Sequence, residues 1–236
     1  MKNYLLSFLA IFLVVGIAAQ TVLTCHDIQY TTDPSGNSPY YNQTVTVQGI
    51  VTHIIPNSAF YIADAEGGEW SGLYVYHRNT SNVVSLGDLV QLTGSVDEYY
   101  NLTEFVNVSA YEIISQGNPL PPFLELSTAD IPSGTNHSEN EKYEGVLVRF
   151  QDVTIKSTPD GYGQFLIADS SNIWAMVDNG LYSIPASSIV IGEIWYIIQG
   201  IVDFHSSAGY KLNPRNASDM IKQDTIENSI IKIVKT

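Results

Sequence analysis

One order of phrases is written twice in this chain, about a hundred residues apart. The first copy reads VTVQGIVTHI, FYIADAEGG, GLYVY and SLGDLVQLTGSVDEYY. The second reads GVLVRFQDVTI, FLIADSSN, WAMVDN and VIGEIWYIIQGIVDFH. Val45 answers to Val146, Phe60 to Phe165, Asp64 to Asp169, Gly87 to Gly192 and Gly94 to Gly200, at spacings of about 101 to 106 residues. A repeat of this length is a small domain, not one turn of a solenoid. Each copy consists of short β-branched and aromatic runs bounded by Gly, Asn and Asp, which is strand-and-turn chemistry. Val45, Val47, Gly49 and Val51 alternate with Thr46, Gln48 and Ile50, the period of a half-buried strand. About five such runs per copy fit a small closed barrel of the OB type. The expected fold is therefore all-β, two tandem OB-fold-like five-stranded barrels. They span 44–115 and 144–221, with a lead-in at 20–43, a Pro-rich linker at 116–143 and a tail at 222–236.

The chain begins with Lys2 and an apolar run ending in small residues. This is the pattern of a secretory signal over residues 1–19, and the run is shorter than the roughly 20 residues that span a bilayer. Export to the periplasm, the cell surface or the medium is expected, with no membrane attachment after cleavage. Cys25 is the single cysteine, so no internal disulfide can form. It follows Val22-Leu23-Thr24, a poor match to a lipid-attachment signal. Ten basic residues face 24 acidic ones for a formal net charge of −14. Such a chain repels polyanions at long range.

Strand periodicity marks one candidate binding face. In AFYIAD, Phe60 and Ile62 share one side and Tyr61 takes the other; in GLYVYHR, Leu73 and Val75 oppose Tyr74 and Tyr76. With the aliphatic side inward, Tyr61, Tyr74 and Tyr76 project together from the sheet that binds oligonucleotides and oligosaccharides in OB barrels. They would form a platform for stacked bases, with His77 and Arg78 beside it to meet a phosphate. The competing reading is that tyrosine is simply a good strand former, or that this face packs on the second barrel. In the second copy the matching positions are Leu166, Met176 and Asp178, better suited to packing than to stacking. Lys211 and Arg215 offer a local positive spot there. The loop DAEGGEWSG holds Asp64, Glu66 and Glu69, enough oxygen to consider calcium, although a solvated turn is the better reading and no cofactor is expected. The recurring Asp64 and Asp169 read as carboxylates that bond turn amides. No zinc spacing, GxSxG elbow or Gly-rich phosphate loop occurs, so no catalytic residue is expected.

The order DIQYTTDPSGNSPYYNQTVTVQGIVT, FYIAD, GLYVY, GDLVQLTGSVDEYY, GNPLPP, STADI and YEGVLVRFQDVTI resembles the tandem OB-fold region of bacterial secreted nucleases, over roughly residues 26–221. In that family the region often accompanies an endonuclease/exonuclease/phosphatase-type catalytic domain. The resemblance implies a β-barrel fold and an accessory, nucleic-acid-binding role, with a secreted nuclease as partner. It supplies no catalytic residue, and neither a GDFN-like nor an SDH-like motif is found. Binding to nucleic acid would have to be weak and led by stacking, because backbone affinity comes from Lys and Arg displacing counterions. The alternative is an extracellular adhesion or spacer module that binds protein or glycan, which Tyr-rich acidic surfaces suit equally well.

Overall fold

The computed structural model describes residues 21–134 and 140–223. The expected signal sequence, His137 and nearly all of the tail lie outside the described residues.

The lead-in opens with β1 (Val22–Leu23) and α1 (Cys25–Gln29). A capping box starts this helix: Thr24 Oγ1 accepts the Asp27 N–H and the Asp27 carboxylate accepts the Thr24 N–H, satisfying donors that a helix start leaves free. Then come β2 (Thr44–Ile55), β3 (Ala59–Ala63), β4 (Gly72–Val75), β5 (Leu89–Tyr99) and β6 (Leu102–Ser115). They pair in the order β2-β3-β4-β6-β5, and β5 returns to β2, so the sheet closes. β4 and β6 run parallel and the other pairs antiparallel. This is OB topology, with the closed sheet running from Thr44 to Ser115.

The second unit repeats it. After β7 (Leu124–Glu125) come β8 (Leu147–Ile155), β9 (Phe165–Ala168), β10 (Ala175–Val177), β11 (Ile194–His205) and β12 (Gly209–Asn213), followed by β13 (Met220–Lys222). β8, β9, β10, β12 and β11 form the ring, closed by β11 on β8, with β10 and β12 parallel. Each barrel has its own core. Val47, Val51, Phe60, Ile62, Leu73, Leu92 and Phe105 fill the first, and Val148, Phe150, Val153, Phe165, Ile167, Ile198 and Leu212 fill the second.

The repeat reaches further back than the strands. β1 lies parallel to β2, and β7 lies parallel to β8 in the same way. Thr24-x-x-Asp27-Ile28 has its counterpart in Ser127-x-x-Asp130-Ile131. Asp130 accepts the Ser127 N–H, and Ile28 and Ile131 both enter their barrel cores. Residues 124–131 are therefore the lead-in of the second barrel, which corrects the expected linker at 116–143. The repeat register also moves. Val45 pairs with Gly94 and Val148 pairs with Gly200, so Val148, not Val146, is the equivalent of Val45.

Asp64 and Asp169 act as the repeat required, though on a different target from the one expected for Asp64. Asp64 accepts the N–H groups of Cys25 and His26 at 2.8 and 2.9 Å. Asp169 accepts the N–H and hydroxyl of Thr128, as well as the Ser171 amide in its own turn. Each aspartate ties the lead-in to its barrel. Cys25 is fully buried at this junction. Burial, reinforced by Asp64, pushes its thiol well above the usual range. A thiol reagent is expected to leave Cys25 untouched in the native protein and to titrate one equivalent after denaturation; labelling of the folded protein would contradict this packing.

The barrels meet over Tyr61, Leu147 and Ile201, flanked by Ile55, Tyr74, Phe123 and Leu181. Polar contacts lock the seam. Glu144 accepts the Thr103 N–H at 2.9 Å, Lys142 meets Glu69 at 2.7 Å, and the Trp70 N–H bonds the Lys142 carbonyl at 2.6 Å.

Candidate functional site: the cleft between the barrels

The structure divides the predicted platform. Tyr61 is 3% exposed and packs against the second barrel, so it cannot stack on a ligand base. An alanine there would test packing, not binding. The physical reason is coverage: Leu147 and Ile201 occupy the side to which Tyr61 points. Tyr74 is half-buried, with its ring centroid 5.0 Å from that of Tyr61. Tyr76 is exposed. His77 Nδ1 meets Thr80 Oγ1 at 2.7 Å, which occupies it within its own turn. Arg78 is exposed, and neither His77 nor Arg78 lines the cleft described next.

Beside Tyr61 the seam opens into a cleft of about 300 Å³. Its first-barrel walls are Ile55, Tyr61, Tyr74, Tyr99, Tyr100 and Glu104; its second-barrel walls include Leu181, Asp203, His205 and Lys211. The place is significant. β3 and β4 are the second and third strands of the first barrel, Ile55 borders the β2–β3 turn, and Tyr99 and Tyr100 sit at the β5–β6 turn. These are the strands and loops that form the ligand face of OB barrels. The second barrel roofs part of this face and leaves the rest open.

Sequence reasoning passed over Tyr99, Tyr100, Glu104 and Asp203. The signal present was the adjacent tyrosine pair at a hairpin tip. Tyr99 and Tyr100 are 60% and 70% exposed, edge to face with centroids 4.8 Å apart. Tyr100 and Asn101 both have positive φ, 52° and 69°, as a two-residue hairpin requires. A tyrosine in that conformation carries strain of order 1 kcal/mol or more.

The polar character of the cleft is acidic. Burial first, then the neighbouring Asp97, Asp203 and Glu98, raises the Glu104 carboxyl to about 7. Burial raises Asp203 to about 6 against the opposing pull of Lys211. Lys211 itself is held by Asp178 at 2.6 Å. Elsewhere Arg149 pairs with Glu125, Arg215 with Asp219 and Lys222 with Glu193. The positive spot expected at Lys211 and Arg215 is thus neutralised by adjacent carboxylates. In the loop considered for calcium, Asp64 is engaged by backbone N–H groups and Glu69 by Lys142. Among the described residues no group of three His, Cys, Asp or Glu side chains is placed to hold a metal ion.

The fold defines a tandem OB-type β-barrel protein. No family model matches the chain, and no curated protein matches it. Among solved structures it is similar to the hypothetical protein ygiW from E. coli, at 22% identity over 31% of this chain and 77% of that one, with a TM-score of 0.26. It is also similar to a Leishmania major Friedlin protein described as an aspartyl-tRNA synthetase, at 8% identity over 46% of this chain and 23% of that one, with a TM-score of 0.32. Likenesses this weak carry no argument about ligand, and the barrel assignment rests on the strand order above.

Proposed function

We propose that this chain is an exported, non-catalytic binding module that takes an extended, uncharged or cationic ligand of the oligosaccharide class in the cleft between its barrels. The observation that carries the reading is the coincidence of the OB ligand face, exposed Tyr99 and Tyr100, and the carboxyl groups of Glu104 and Asp203 in one cleft. Tyrosine faces pack on sugar rings, and carboxylates accept their hydroxyls. A phosphate backbone would meet Glu104 and Asp203, with Lys211 already paired to Asp178, which weakens the main source of nucleic-acid affinity.

A second reading, single-stranded nucleic acid bound as the accessory part of a secreted nuclease, is favoured by one feature. Exposed Tyr76 lies two residues from Arg78, which is exposed and outside the ion pairs described above. Titration of the folded protein with neutral oligosaccharides and with labelled single-stranded DNA separates the two. The expected result is saturable sugar binding, weakened about tenfold or more, or by at least ~1.4 kcal/mol, when Tyr99 and Tyr100 are both changed to alanine. DNA binding abolished by Tyr76→Ala with Arg78→Ala would establish the second reading. A folded sample that binds neither ligand class removes both.

A further inference from the structure

We propose that the cleft selects amino sugars, seating a protonated amine between Glu104 and Asp203 under the rings of Tyr74, Tyr99 and Tyr100. The inference rests on the oligosaccharide reading of this same cleft and names its ligand more closely. Glu104 comes from β6 of the first barrel and Asp203 from β11 of the second, and both line one cavity. Two carboxylates brought together from separate domains repel each other unless something positive or a proton lies between them. Of the basic side chains lining the cavity, Lys211 is committed to Asp178 at 2.6 Å and His205 Nδ1 meets Ser207 Oγ at 2.9 Å.

Acidic groups also lie behind the cavity wall. Tyr61, which forms part of that wall, lies in the fields of Asp203, Glu144 and Glu104. Glu144 is 1% exposed, and its Oε2 has no hydrogen-bond partner. The tyrosines supply the other half of a cation site. An ammonium over a tyrosine face is attracted by the ring quadrupole, and more strongly where water is excluded. An aromatic wall beside acidic groups is the chemistry that recognises an amine carried on a sugar ring, whose C–H face packs on the aromatic face. A neutral sugar satisfies the rings but leaves the carboxylates protonated, whereas a phosphate is rejected.

The binding step also has a proton balance. Glu104 faces Asp97 and Glu98 from β5, Tyr74 from β4, and Asp203, His205 and Lys211 from the second barrel. Among these groups it holds its proton to about pH 7. An arriving ammonium favours the carboxylate, so binding at pH 6 should release a proton to solvent.

Calorimetric titration at pH 6 with a glucosamine tetramer, an N-acetylglucosamine tetramer and a glucose tetramer tests the inference. The expected result is that the glucosamine tetramer binds at least about tenfold more tightly than the other two. Its apparent enthalpy should change with the ionisation enthalpy of the buffer, because a proton is released. Glu104→Gln should reduce the glucosamine tetramer to the level of the others. That variant mimics the protonated side chain present in the free protein at pH 6, so the fold is unaffected. Equal binding of all three tetramers, or equal weakening of all three by Glu104→Gln, would overturn amine selection and leave the oligosaccharide reading standing. Failure of every tetramer to bind removes both.

Discussion

Changing Gly72 to alanine is expected to loosen the two barrels from each other and to lower the unfolding temperature by several degrees. Gly72 begins β4, and Gly145 lies just before β8. Their backbones touch. A Cβ built on Gly72 falls 2.0 Å from the Gly145 carbonyl carbon and oxygen and 2.6 Å from the Val146 nitrogen. These are main-chain atoms that cannot rotate aside. Gly145 has φ of +72°, and its own Cβ would lie 2.7 Å from the Gly72 carbonyl carbon, so neither side can give way. Gly72 is further pinned by Gln29 Nε2, which donates to its carbonyl at 3.0 Å, and by its pairing with Ala63 in β3. Relief requires the whole second barrel to move outward, which opens the contacts of Tyr61 with Leu147 and Ile201 and the Thr103–Glu144 bond. Overpacking of this kind costs roughly 1–3 kcal/mol, or about 2–4 °C per kcal/mol in a chain of this size. Small-angle scattering should show a larger radius of gyration. Gly161→Ala is the control, since its Cβ would meet nothing within 4 Å. A Gly72→Ala protein with native scattering and native melting temperature would contradict this account of the seam.

This seam also shows how far the sequence could be read. The barrels were legible because the strands carry a period of two and because the chain repeats itself, so errors in one copy are checked by the other. The lead-in repeat was not, because its common element is a capping pair, Thr24 with Asp27 and Ser127 with Asp130, set among loops of different length and composition. Periodicity correctly turned Tyr61 away from its own core. What lies on the far side of that face is decided by Leu147 and Ile201, some 86 and 140 residues later, and no local pattern encodes that. The same holds for Glu104 and Asp203. Each occupies an ordinary outward position on a strand, and their convergence on one cavity exists only once the second barrel is docked. Tyr99 and Tyr100 were visible as residues but read as loop, because a hairpin tip that needs positive φ usually advertises itself with Asn-Gly, not Tyr-Asn.

Stability is expected to be greatest near pH 5 and to fall as the pH rises through 6 to 8. The cause is the buried acid group at the seam. Glu141 is 2% exposed and Glu144 1%. Burial raises Glu141 to about 8, even though the Tyr210 hydroxyl donates to it. Burial and the proximity of Glu141 raise Glu144 well above its ordinary range. Glu104 at about 7 and Asp203 at about 6 follow the same direction. A carboxyl whose folded value exceeds its unfolded value binds its proton more tightly in the native state. Its contribution is therefore complete below about pH 4.5 and is lost as pH rises toward the folded value. His53 opposes this on the acid side. Burial, then Arg215, lowers it to about 4, so its contribution is present above about pH 6.5 and lost on acidification toward 4. Asp219, held low by Arg215, adds to the loss at still lower pH. Several carboxyls outweigh one histidine between pH 5 and 8. The alkaline loss is on the order of a few kcal/mol, since each tenfold difference in proton affinity between the folded and unfolded chain is worth about 1.4 kcal/mol. Glu144→Gln separates this from a general charge effect. Its amide oxygen can still accept the Thr103 N–H, but it cannot ionise. Melting curves of the two proteins should coincide near pH 5 and diverge by pH 8, with the variant the more stable. If wild type melts at the same temperature at pH 5 and pH 8, or if the variant declines in parallel with it, the seam carboxyls are not the source of the dependence.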